Sequence, residues 1–163
     1  MQTTLIIIRG NSGSGKTTLA QALQRRLGAN TLLVSQDVVR REMLMSNDHP
    51  GNLAIELIHQ IARYGNGRVP FVIVEGILAR DRYASMLAQL QREFERTLTY
   101  YFDVDFATTL ARHQTRQRDF GPDEMRRWWL PHDVLGWPDE RLLPSDAPLT
   151  TEVDTVLNTL NVD

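Results

Sequence analysis

Residues 10–18 read Gly10-Asn11-Ser12-Gly13-Ser14-Gly15-Lys16-Thr17-Thr18, a glycine-rich run closed by an ammonium and two hydroxyls. Those residue types at that spacing suit the holding of phosphate. Glycines let successive backbone N–H groups converge on phosphate oxygens, and a helix opening at Thr18-Leu19-Ala20 adds the positive end of its dipole. Lys16 then reaches the β and γ phosphates, and the Thr17 hydroxyl is offered to Mg2+. Lys16 is also the only lysine among eighteen basic residues, the rest being arginine. A single compact ammonium is kept where a planar guanidinium would not serve. The pattern implies binding of a nucleoside triphosphate with its metal.

Such a loop needs a strand before it and a helix after it. Leu5 to Arg9 is a short apolar run, and Leu19, Leu23 and Leu27 recur at helical spacing. Along the rest of the chain, Thr31 to Ser35, Phe71 to Glu75 and Thr97 to Asp103 read as strands, with Arg141 to Pro144 a weaker fifth. Helical stripes lie between them: Leu57, Ile58 and Ile61; Tyr83, Met86, Leu87, Leu90 and Phe94; and finally Val153, Val156, Leu157 and Leu160. Another helix is predicted from about Phe106 to Arg118 behind Asp105 as N-cap. Strands alternating with amphipathic helices predict an α/β fold, a parallel sheet covered on both faces. Met43 to Gly51 reads as a loop. Gly121-Pro122-Asp123-Glu124 starts a short helix inside an inserted lid over about 112–138.

The length of 163 residues predicts one domain over 1–163, large enough to bury a core. A net charge of -2 argues against wrapping duplex nucleic acid, which takes many phosphate contacts. The absence of cysteine rules out disulfides, thiolate metal sites and thiol catalysis, so any metal is expected on oxygen ligands. The opening apolar run is far short of a signal segment or membrane span, and the chain is expected to be soluble and cytoplasmic.

The loop alone does not name a reaction. A Ras-type GTPase needs an NKxD motif, which a chain with one lysine cannot supply, and a motor-type ATPase wants a strand ending in Asp-Glu where this one ends in Glu75-Gly76. The chain resembles the P-loop kinases of the adenylate-kinase-like group across nearly its whole length. It is most similar to small-molecule and polynucleotide kinases, with zeta toxins, chloramphenicol phosphotransferase and uridine-kinase-like proteins among them. The resemblance rests on the phosphate loop, on Thr31-Leu32-Leu33-Val34-Ser35-Gln36-Asp37, and on the stretches 101–116, 125–129 and 133–136. It implies a three-layer fold with strand order 2-3-1-4-5, ATP and Mg2+ as cofactors, and a small-molecule hydroxyl as phosphoryl acceptor. It also implies that Asp37 activates that hydroxyl and that Arg112, Arg116 and Arg118 are lid arginines.

Residue by residue, Asp37 lies at the carboxyl edge of a strand, where it can serve as base or cap the next helix. Arg40, one turn on, would pair with an anionic group of the acceptor or with Asp37 or Glu42. Glu75 emerges at the same edge and would hold a metal-bound water or pair with an arginine. Arg116 and Arg118 are expected over the transferring phosphoryl group, Arg112 there or on adenine. Trp128 and Trp129 point to different sides of a helix, and Trp128 is expected to line the acceptor pocket. Asp103 and Asp105 are expected to cap rather than bind metal. A polynucleotide 5′-hydroxyl kinase, a regulatory NTPase and a nucleotide-binding module without turnover remain as alternatives.

Overall fold

The computed structural model describes residues 1–115, 120–144 and 146–162. Its strands are β1 (Thr4–Gly10), β2 (Thr31–Ser35), β3 (Phe71–Gly76), β4 (Arg96–Phe102) and β5 (Glu140–Leu143). The helices are α1 (Lys16–Leu27), α2 (Leu53–Gly65), α3 (Arg80–Glu93), α4 (Phe106–Gln114), α5 (Pro122–Trp128) and α6 (Leu149–Leu160). All strand pairs are parallel, in the order β2-β3-β1-β4-β5.

The composition of β1 explains its central place. Leu5 to Ile8 are fully buried on both faces, as an unbroken apolar run requires when helices cover both sides. Leu5 and Ile7 join the core under α2 and α3, while Ile6 and Ile8 join the one under α1 and α6. A parallel sheet needs a crossover between neighbouring strands, so every strand delivers its carboxyl end to one edge. Gly10, Ser35, Gly76 and Phe102 end their strands at that edge.

Two elements differ from expectation. α4 starts where predicted, with the Asp105 carboxylate accepting from the Thr108 N–H at 2.7 Å, but it ends at Gln114. Residues 116–119, including Arg116 and Arg118, lie outside the described residues. The segment after β2 is a π-helix, Val38–Met43, in which the Leu44 N–H reaches the Val39 carbonyl five residues back. A π-turn is wider than an α-turn, so side chains fall on other faces than 3.6-residue spacing predicts.

Candidate nucleotide and phosphoryl-transfer site

The phosphate loop joins the end of β1 to the start of α1. Gly13 and Gly15 have φ of 77° and 106°, and a Cβ on Gly13 would stand 2.9 Å from the Thr109 carbonyl oxygen. Left-handed backbone against a neighbouring helix leaves room only for glycine there. Lys16 is 8% exposed and its Nζ donates to the Asn11 carbonyl at 3.1 Å, folded back over the loop. The Ser14 hydroxyl is buried with no hydrogen-bond partner among the described residues. Thr18 follows in the first turn of α1.

Across the sheet edge, Thr17 Oγ1 donates to Glu75 Oε2 at 3.1 Å. Glu75 is 2% exposed at the end of β3, and a carboxylate this enclosed calls for a compensating cation. A hydroxyl beside a buried carboxylate is the hard oxygen donor set that suits Mg2+. The glycine cradle, Lys16 and this donor pair therefore fit a magnesium-bound nucleotide.

Asp37 follows β2 and does not cap the helix after it. Its half-exposed carboxylate lies 3.6 Å from both the Arg40 and Arg41 guanidinium groups. With Lys16, Thr17, Arg41, Ile77 and Trp128 it lines a cleft over the phosphate loop with a volume of about 40 Å³. Arg41 lines the cleft, while Arg40 pairs with Asp37, one of its foreseen partners, and its Nη1 donates to the Ser46 carbonyl at 3.0 Å. Gln36, not anticipated, is buried and its Oε1 accepts from the Leu78 N–H at 2.8 Å. It clamps the turn after β3, where Leu78 takes the left-handed φ of 43°.

On the opposite side, Arg112 donates from Nη1 to the Ser14 carbonyl, which ties α4 to the phosphate loop. Burial pushes Glu152 in the first turn of α6 up to about 7, and the nearby Arg112 charge only partly opposes this. Trp128 is 47% exposed and meets the Phe120 ring edge-on at 5.1 Å. Trp129 turns the other way and packs edge-on against Phe106 at 5.3 Å. Asp103 pairs with His132 at 3.2 Å.

Two further residues next to the loop were not legible as partners. Arg9 is fully buried, with Nε and Nη2 on the Leu78 carbonyl, Nη1 on the Asp133 carbonyl and Nη2 on the Asp133 carboxylate at 3.0 Å. Burial lowers its pKa, and Asp133 and Glu140 pull the other way. Asn11, expected at the nucleotide as part of the loop, commits its side chain elsewhere: the amide donates to the Leu130 carbonyl at 2.7 Å and accepts from the Leu130 N–H at 2.9 Å.

Among solved structures, a gluconokinase from Sinorhizobium meliloti 1021 superposes with a TM-score of 0.70 at 17% identity, over 97% of this chain and 91% of that one. A tunicamycin resistance protein from Deinococcus radiodurans has a TM-score of 0.70 at 12% identity, covering 99% and 98% of the two chains. The Mycobacterium tuberculosis APS kinase CysC, solved with AMPPNP and APS, has a TM-score of 0.64 at 16% identity and covers 98% of each. Curated protein sequences provide no match. Likeness at these identities establishes the fold. No helix among the described residues is long and apolar enough to cross a membrane. A family model described as an AAA domain matches residues 5–127, from the first core strand through the phosphate loop to α5, and the chain belongs to that P-loop family.

Proposed function

We propose that the protein is an ATP-dependent kinase that transfers the γ-phosphoryl group to a hydroxyl of a small molecule such as a nucleoside, a sugar or an antibiotic. The observation that carries this reading is the placement of Asp37. It is a half-exposed carboxylate in the same cleft as Lys16 and Thr17, at the sheet edge where open α/β folds bind ligands. The fold shared with proteins named gluconokinase and APS kinase supports it.

Gly10 to Thr18 hold the phosphates through backbone N–H groups and Lys16, while Thr17 and, through water, Glu75 would hold Mg2+, which would supply neutralising charge to the phosphates. Asp37 accepts the proton of the acceptor hydroxyl as that oxygen bonds to the γ-phosphorus and the bond to the β,γ-bridging oxygen breaks, leaving ADP. Arg41 and Trp128 form the acceptor side of the cleft, Arg41 offering charge and Trp128 an apolar face. The cytoplasm, where ATP is abundant, is the compartment this reaction implies.

The test is ADP formation corrected for phosphate release, screened over nucleosides, sugars, antibiotics and 5′-hydroxyl oligonucleotides. One small-molecule class is expected to raise ADP without raising free phosphate. With that acceptor, Asp37→Asn is expected to lower kcat at least about a hundredfold with little change in ATP affinity, since the amide cannot take a proton. Phosphate release alone, with every acceptor inert, marks an NTPase and refutes the kinase reading. Retained kcat in Asp37→Asn removes Asp37 from the chemistry.

A further inference from the structure

The second residue of a phosphate loop contributes its backbone to phosphate binding, and its side chain has no assigned task in that scheme. Here the side chain is wholly committed. Asn11 is 4% exposed and its amide closes a two-bond ring with the main chain of Leu130, donating to the carbonyl and accepting from the N–H. Both groups of one peptide-like amide are satisfied by a single residue 119 positions away. Meanwhile the Asn11 carbonyl accepts from Lys16 Nζ. One residue therefore touches both the lysine that faces phosphate and the chain that leaves α5.

What that chain carries gives the contact its consequence. Leu130 lies two residues after Trp128, which lines the cleft over the phosphate loop, and one after Trp129, which is wedged against Phe106 at the start of α4. Three residues further on, Asp133 is held by Arg9, the neighbour of Gly10. It also accepts from the Arg80 N–H, and its own N–H donates to the Tyr101 hydroxyl. Asp133 is thus pinned to the sheet edge by contacts independent of Asn11. Between this fixed point and α5, Asn11 is the link that answers to the phosphate loop itself.

We infer that Asn11 is a positioning residue: its side-chain amide couples the state of the phosphate loop to the placement of α5 and hence of Trp128 on the acceptor side of the cleft. When phosphate draws Lys16 away from the Asn11 carbonyl, that carbonyl loses one donor and keeps the Ser14 N–H at 3.2 Å, while the Asn11 side chain still grips Leu130. The displacement passes to Leu130 and α5 rather than being lost in the loop. The inference rests on the nucleotide-site reading above, and the experiment separates the two.

Hydrogen exchange over residues 122–131 is measured with and without MgAMP-PNP, alongside calorimetric affinity, in the wild type, Asn11→Ala and Asn11→Ser. Serine keeps a small polar side chain in the loop but is too short to span both Leu130 groups, so it stands in if the alanine variant folds poorly. In the wild type, nucleotide is expected to change exchange in 122–131. In the variants affinity should stay within about threefold of wild type while that response disappears. ATP consumption should then show kcat reduced at least about tenfold with KM for ATP little changed, a split that a merely structural defect would not produce. A preserved exchange response in both variants overturns the inference. An affinity loss above about tenfold with the response intact also overturns it, by making Asn11 a direct phosphate ligand. Failure of wild-type protein to bind MgAMP-PNP refutes the nucleotide site instead.

Discussion

Glu152 offers a test of how burial sets charge around the phosphate loop. It stands in the first turn of α6, where the helix dipole favours an anion, yet it is only 6% exposed and burial outweighs the dipole. The result is a carboxyl raised from 4.5 to about 7. The native state therefore binds more protons than the unfolded chain between these values, so stability falls as pH rises through that window and levels off above it. The full difference, evaluated from the shift, amounts to at most about 3 kcal/mol. Glu152→Gln keeps the shape and removes the ionisation. It is expected to match wild type near about pH 4 and to exceed it by up to about 3 kcal/mol near about pH 8. Urea unfolding at both pH values measures this, and taking the variant minus wild-type difference cancels the other carboxylates. Above the transition the ionised Glu152 gives Arg112 an anionic neighbour in addition to the neutral Ser14 carbonyl that it donates to. A difference that is the same at both pH values would refute the reasoning, because the carboxyl would then already be ionised throughout.

Two further perturbations probe the loop and its support. Lys16→Ala should abolish nucleotide turnover and the thermal shift given by MgATP while leaving the circular dichroism unchanged, since Lys16 serves the phosphate loop and belongs to neither hydrophobic core; wild-type turnover in this variant would sink the P-loop assignment. Arg9→Met strips the donors from the Leu78 carbonyl and the partner from the Asp133 and Glu140 carboxylates, and should cost about 3–5 kcal/mol in chemical denaturation. A loss below about 1 kcal/mol would mean that water or rearrangement satisfies those groups.

Sequence reasoning reached the parts of this protein whose physics is local. A β-branched run, a glycine-rich turn and a leucine stripe each draw their conformation from neighbours in the chain, so the phosphate loop and its flanking β1 and α1 were legible residue by residue. The same periodicities located β2, β3, β4 and the helices α2, α3 and α6 to within a residue or a few. Strand order 2-3-1-4-5 came from family resemblance, because alternation alone allows other parallel sheets, and the structure has that order. The Thr17–Glu75 contact was anticipated only as two residues facing one edge; their 3.1 Å approach depends on the register of β1 beside β3. Arg41 lines the cleft while Arg40 reaches the Ser46 carbonyl, on a π-helix that the types of residues 38–43 do not announce. The commitments of Arg9 to Asp133 and of Asn11 to Leu130 lay furthest from view. Each spans more than a hundred residues, and a buried donor takes whichever acceptor the packed chain brings within about 3 Å. Spacing along the chain encodes which elements form and which groups can do chemistry. Which distant groups satisfy one another is decided only when the sheet closes its layers, because desolvation then makes each unpaired buried polar atom costly.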